Sequence, residues 1–207
     1  MKQFKLRENK LPSSFLLLAI VFLTWSGVAC RSDRQEALPE KDIPPQTDSK
    51  PSDVFFAKLT ALCGKGFWGS FVHPGQPPFP FAGSGLLMEV ASCDDQRIRI
   101  TFHVGEDASR NWVLAFEENR LRLTHDHRNR DGSAADVTGY GGVAVDLGSA
   151  WRQDFPADAA TIEQIPKAAD SVWSMIFSED MSKFSYLLTK SGEVIFHVDF
   201  SLSSSET

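Results

Sequence analysis

Arg97-Ile98-Arg99-Ile100-Thr101-Phe102-His103-Val104 is the stretch that decides the fold. Successive side chains of an extended chain point to opposite faces. Ile98, Ile100, Phe102 and Val104 therefore share one side, and Arg97, Arg99, Thr101 and His103 share the other. Working outward, the same period of two predicts strands over Leu86–Cys93 and Phe67–His73 upstream. Downstream it predicts Trp112–Glu117 and Arg120–His127, joined as a hairpin across Glu118-Asn119. Val137–Val145 reads as a weaker strand broken by glycines. Val172–Phe177, Lys183–Thr189 and Glu193–Leu202 close the chain, with Ser191-Gly192 as the last turn.

Two short helices interrupt this pattern. Ser52 and Asp53 can cap the first, Phe55, Leu59 and Leu62 recur at helical spacing, and Gly64 ends it, which puts Cys63 in its last turn. Pro156–Ala168 suggests the second, interrupted near Pro166. About nine strands in sequence-adjacent hairpins predict a mainly β domain. The expected form is an antiparallel meander closing into a small barrel of lipocalin-like architecture, since closure leaves no edge strands. The N-terminal helix can plug one end. A two-sheet sandwich is the alternative. The 16 Phe and 5 Trp provide large apolar surface for a core, and Trp112, Phe116, Phe102, Phe196 and Phe200 are expected to line or fill the interior. Trp68, Trp151 and Trp173 are hard to place on the alternating apolar faces, so they are candidates for an exposed patch.

The first thirty residues give an address. Lys2, Lys5, Arg7 and Lys10 precede the apolar run Phe15–Leu23, and small residues lead to Gly27-Val28-Ala29-Cys30. Basic, apolar, then small is the layout of a signal peptide, expected over residues 1–29. The apolar part is short for a spanning helix, which needs about 20 residues. Gly27-Val28-Ala29-Cys30 resembles a bacterial lipobox, with Gly27 where Leu is usual, and so implies a lipid on Cys30. Simple secretion is the alternative. The three cysteines agree with lipidation: with Cys30 acylated, Cys63 and Cys93 are left to form a disulfide. Arg31, where an Asp often marks inner-membrane retention, points by analogy to the outer membrane.

Residues 30–52 hold the attachment cysteine and a linker rich in proline and charge, with too little apolar surface to fold alone. Residues 53–207 are then one domain. The whole chain carries a net charge of −6, and removing the basic leader makes the mature chain more acidic still. No basic patch is present, which excludes a nucleic-acid binder. The expected membrane contact is the lipid alone, because an acidic domain is repelled by anionic lipid.

His125-Asp126-His127 is the most suggestive cluster. On a strand both imidazoles point to the side of Leu121 and Leu123, into the interior near a barrel mouth. An i, i+2 histidine pair can hold a transition metal, with Asp131 as the nearest third ligand. The H-x-H-x3-acid spacing resembles the first cupin motif, but the upstream glycine and a second histidine motif are absent. The alternative is structural hydrogen bonding, and no cofactor is expected on that reading. His103 belongs to a solvated face, where with Arg97 and Arg99 it can meet an anion. His197 and Asp199 form an ordinary surface pair. Gly83-Ser84-Gly85 lacks the nucleophile elbow, Tyr140-Gly141-Gly142 lacks a phosphate-loop lysine, and no C-x-x-C is present. A non-enzymatic role is therefore favoured.

A set of short motifs, taken in order, carries a resemblance. These are Leu62-Cys63-Gly64, Phe102-His103-Val104-Gly105, His125-Asp126-His127-Arg128, Asp131-Gly132-Ser133, Tyr140-Gly141-Gly142 and Phe155-Pro156-Ala157-Asp158. Over roughly residues 55–202 the chain resembles a family of small exported bacterial proteins with no assigned activity. Relatives in that pattern read His-Asp-His-Arg-His-Glu-Asp-Gly, and this chain has Asn129 and Arg130 in the fifth and sixth places. The resemblance implies an exported domain and no particular chemistry. Three functional expectations follow: an envelope lipoprotein whose barrel binds a small apolar or amphipathic ligand, a structural or protein-interaction lipoprotein, or a metal-dependent enzyme at His125 and His127.

Overall fold

The computed structural model describes residues 49–73, 81, 83–145 and 148–206. The signal peptide, Cys30 and nearly all of the linker lie outside the described residues. Helix α1 (Pro51–Thr60) starts inside the stretch expected to be linker. Pro51 suits the first turn because its missing N–H would have no partner there anyway. Asp53 does not precede the helix but sits in its first turn, where its carboxylate accepts the Lys50 N–H at 3.2 Å. Cys63 lies in the turn after α1.

Ten strands follow: β1 (Gly66–His73), β2 (Leu86–Cys93), β3 (Arg97–Val104), β4 (Asp107–Glu117), β5 (Arg120–His127), β6 (Tyr140–Val143), β7 (Arg152–Pro156), β8 (Ser171–Phe177), β9 (Lys183–Lys190) and β10 (Glu193–Glu206). Between β7 and β8 lie helix α2 (Ala159–Gln164) and a 3-10 turn at Pro166–Ala168. The strands form one antiparallel sheet in the order β6-β5-β4-β3-β2-β1-β10-β9-β8-β7. Every neighbour is adjacent in sequence except β1 and β10, the two ends of the domain. The result is a meander that curls into a nearly closed barrel, as the alternation predicts.

The seam lies between β6 and β7. Gly142 bridges to Ala157, the Asp158 N–H donates to the Gly141 carbonyl at 3.1 Å, and the Val145 N–H donates to the Asp154 carbonyl at 3.2 Å. A Cβ on Gly141 would stand 1.9 Å from the Leu123 carbonyl oxygen, and one on Gly142 would stand 1.9 Å from that of Pro156. The glycines that make this strand look weak in sequence are what let it squeeze between β5 and β7.

Strand β7 is the one added to the nine expected, in a stretch not read as extended. Gln153 and Phe155 face inward and Arg152 and Asp154 outward. An inward glutamine breaks the apolar alternation. Gln153 is tolerated because its Nε2 donates to the Ser149 carbonyl at 2.7 Å, as burial of an amide requires. Pro156 ends β7 and does not open a helix; α2 begins at Ala159, capped by the Asp158 carboxylate on the Thr161 N–H. The expected strand Val137–Val145 is shorter, only Tyr140–Val143.

Inside the barrel, Ile98, Ile100, Leu114, Leu123, Phe184 and Phe200 are fully buried. Helix α1 plugs one end: Phe55 packs 5.3 Å from Phe177, and Phe56 packs 5.0 Å from Phe116. Lys58 ties the helix to the wall, donating to the Ala150 carbonyl at 2.8 Å and lying 3.4 Å above the Trp151 ring. Cys63 and Cys93 form a disulfide with Cα atoms 6.2 Å apart, within reach of a bridge. Of the three tryptophans proposed for an outer patch, only Trp68 is clearly outside, at 49% exposure. Trp173 is a core residue and Trp151 is half-buried beneath Lys58. Among the described residues no helix is long and apolar enough to cross a membrane.

Candidate ligand pocket at the unplugged end

The end of the barrel away from α1 is where β5 ends and β6, β8 and β10 begin. The register sets His125 of β5 between Trp112 of β4 and Tyr140 of β6. The inward side of β5 that carries Leu121 and Leu123 therefore delivers His125 into the interior, as its position predicts. Its ring stacks on Tyr140, with centroids 4.6 Å apart and planes 9° apart. Beside it Trp112 stacks on Tyr186 at 4.2 Å and on Phe102 at 5.1 Å. Trp173 lies 5.0 Å from His125.

These hydrogen bonds fix the tautomer of His125. Nδ1 lies 3.2 Å from the Tyr140 carbonyl oxygen, which can only accept, so Nδ1 carries the hydrogen. Nε2 is then the acceptor, and the Tyr186 hydroxyl donates to it at 2.6 Å. Burial, helped by neighbouring His127, pushes the His125 pKa down to about 3, so the ring is neutral near pH 7. The His127 pKa is also lowered, by burial and then by the Arg110 charge. Burial raises Tyr140 to about 12 and Tyr186 well above its ordinary value. Both hydroxyls stay protonated.

These residues, with Arg110, Leu188 and Phe196, line an open-mouthed cavity of about 170 Å³, and Phe81 reaches it from the segment between β1 and β2. A dry cavity of about 150 Å³ accepts benzene, so the space fits roughly one ring. Other hollows are larger, among them two of about 330 Å³ and 320 Å³ at the surface and two larger still. One of about 760 Å³ lies beside the start of α1, and one of about 1070 Å³ lies along β3 and β4. Both are lined mainly by charged and polar residues, and neither gathers buried functional groups. The aromatic pocket combines apolar walls with a few converging polar atoms, the usual makeup of a small-molecule site.

His125 and His127 do come together, with ring centroids 6.3 Å apart. Asp131 does not join them. It is exposed in the turn after β5, accepting from the Ser133 N–H at 2.9 Å and hydroxyl at 2.6 Å. The three-ligand set expected from spacing is therefore not assembled, because the chain turns away after Arg128 and Asp131 is spent on its own loop. Among the described residues no group of three or more His, Cys, Asp or Glu is placed to hold a metal ion. His103 is paired with Glu89 at 2.9 Å on the outer wall, and His197 with Asp199 at 2.7 Å.

Tyr140, Trp173, Tyr186, Arg110 and Phe81 belong to the pocket and were not singled out from sequence as site residues. Of the aromatics expected inside, Trp112, Phe102 and Phe196 line it. Phe200 is buried in the core, and Phe116 packs at the opposite end against Phe56. Set beside known proteins, the chain matches no family model and no curated protein.

Proposed function

We propose that the mature chain is an exported envelope lipoprotein, held to a membrane by a lipid on Cys30, whose barrel binds one small, mainly apolar molecule. The observation that carries the binding role is the ring-sized aromatic pocket at the unplugged end, set against a core that is otherwise filled. Export is supported by the basic, apolar and small order of residues 1–29. The Cys63–Cys93 bond fits an oxidising compartment. The outer membrane is the favoured address, with a periplasmic or secreted form as the alternative. Native mass spectrometry of protein purified from its own host tests the binding role. The expected result is a repeatable added mass of one small molecule, lost when Leu188→Trp fills the pocket. Repeated absence of any such mass, together with no response to small aromatic probes, overturns it.

One observation favours a protein-interaction role instead. Trp68, Val72, Val194 and Ile195 are exposed on the outer face of the neighbouring strands β1 and β10. Exposed apolar groups mark a contact surface where they join into one patch. Crosslinking in cells through position 68 that repeatedly captures one protein would support this second reading.

A further inference from the structure

The charge class of the pocket's occupant is written in its lining. His125, Trp112, Trp173 and Tyr186 form the deep part, each nearly inaccessible. The polar atoms of His125 are already bonded, Nδ1 to a carbonyl and Nε2 to the Tyr186 hydroxyl. The depth therefore offers aromatic faces and little else. Arg110, His127 and Tyr140 stand further out, partly exposed. The Tyr140 hydroxyl and His127 Nε2 are 3.5 Å apart, a separation that leaves both only weakly satisfied. Arg110 is the only charged residue among the described lining residues whose charge is permanent, and no carboxylate lines the cavity. Its partner Asp107 faces the outer groove along β4 instead. That ion pair uses one guanidinium nitrogen, whereas a guanidinium has five N–H donors.

Resting on the ligand-binding reading above, we infer that the pocket takes a monocyclic aromatic anion, a single ring bearing a carboxylate. The ring lies among Trp112, Trp173 and Tyr186, and the carboxylate meets Arg110, His127 and Tyr140 at the mouth. The volume of the cavity matches about one ring. The sign comes from the guanidinium. Aromatic walls alone also suit a cation, but a cation would find Arg110 at the mouth and no acidic counter-charge among the described lining residues. A neutral ring would leave the guanidinium with only Asp107 and the Phe81 face as partners. The ring geometry matters as well: aromatic groups prefer offset or edge-on contact, and the tilted pair His125–Trp173 and the stacked pair Trp112–Tyr186 present both kinds of surface.

Three probes of nearly equal size separate the possibilities in the full mature protein: benzoate, benzamide and benzylamine. Binding is read by calorimetry and by the fluorescence of Trp112 and Trp173. The expected order is benzoate first, about tenfold or more tighter than benzamide, as one charge-assisted contact warrants, with benzylamine weakest. Arg110→Gln should erase the preference and Arg110→Lys should keep part of it. Equal binding of benzoate and benzamide to the unaltered protein, or a preference that survives Arg110→Gln, overturns the anion assignment and leaves the pocket reading standing. Failure of all three to bind up to their solubility limits overturns the pocket reading itself. The comparison of probes on the unaltered protein needs no variant to fold.

Discussion

His125 carries an unusual burden for a single side chain. It is 2% exposed, holds β6 through the Tyr140 carbonyl and receives the Tyr186 hydroxyl from across the barrel. The Tyr186 bond requires the neutral ring, because Nε2 must accept, whereas the Tyr140 carbonyl would also accept from a charged ring; burial is what keeps the ring neutral. A depressed histidine pKa means that the unfolded chain takes up a proton the folded chain refuses, so stability is complete above about pH 6.5 and is lost as pH falls towards about 3. The predicted outcome is a loss of about 2 kcal/mol between about pH 7 and pH 5 from this residue alone. His127 adds to it in the same direction, its pKa also being lowered. The lowered carboxylates Asp107 and Asp180, each held at about 2 by hydrogen bonds from neighbouring side chains and backbone, lose their contribution only at lower pH. Urea melts across that window check the prediction. In His125→Gln the slope should flatten whatever the variant's absolute stability, and an unchanged slope would show that the proton goes elsewhere.

At the scale of elements, the seam between β6 and β7 is the place most exposed to a small change. A methyl group on Gly142 has no room beside the Pro156 carbonyl oxygen, so the strands must part, breaking the bridge to Ala157. Gly142→Ala should cost about 1–3 kcal/mol, the usual range for overpacking. Hydrogen exchange should show the loss concentrated in β6 and β7, where a uniform loss over all ten strands would contradict the seam. The same elements show what the sequence could and could not convey. Strands β2, β3 and β5 were legible to the residue, because a sheet with one buried face forces a period of two. Strand β7 was not, because buried Gln153 and terminal Pro156 both break that signal and are excused only by tertiary partners. The beginning of α1 was hidden by the proline-rich composition before it. The pocket was half legible. The orientation of His125 follows from the parity of β5, but Tyr186 lies 61 residues further on, and nothing local announces that β9 will face it. Trp173 illustrates the same limit: it looked misplaced in sequence because its partners arrive from β5 and β6.

The described domain is a cup: a barrel plugged by α1 at one end, with its core residues buried through the middle, and hollow at the other. The disulfide joins the turn that follows α1 to the end of β2, closing a loop of sequence separation 30, worth about 3–4 kcal/mol on the chain-entropy account. Its existence bears on attachment. With Cys63 and Cys93 bonded to each other, Cys30 is the remaining cysteine of the three, and an unpaired thiol in an exported protein asks for a use. Acylation of its sulfur supplies one. In sequence the tether would run into α1, and the pocket opens at the end of the barrel away from that helix. The expected consequence is simple to measure. Cys30→Ala should move the protein from the membrane fraction to the soluble envelope fraction while leaving the thermal midpoint of the domain unchanged, because Cys30 lies outside the barrel elements, which begin at Pro51. Membrane attachment that persists in the variant would exclude the lipid tether and turn attention to the exposed face around Trp68. A lowered midpoint would show instead that the linker around Cys30 packs on the barrel.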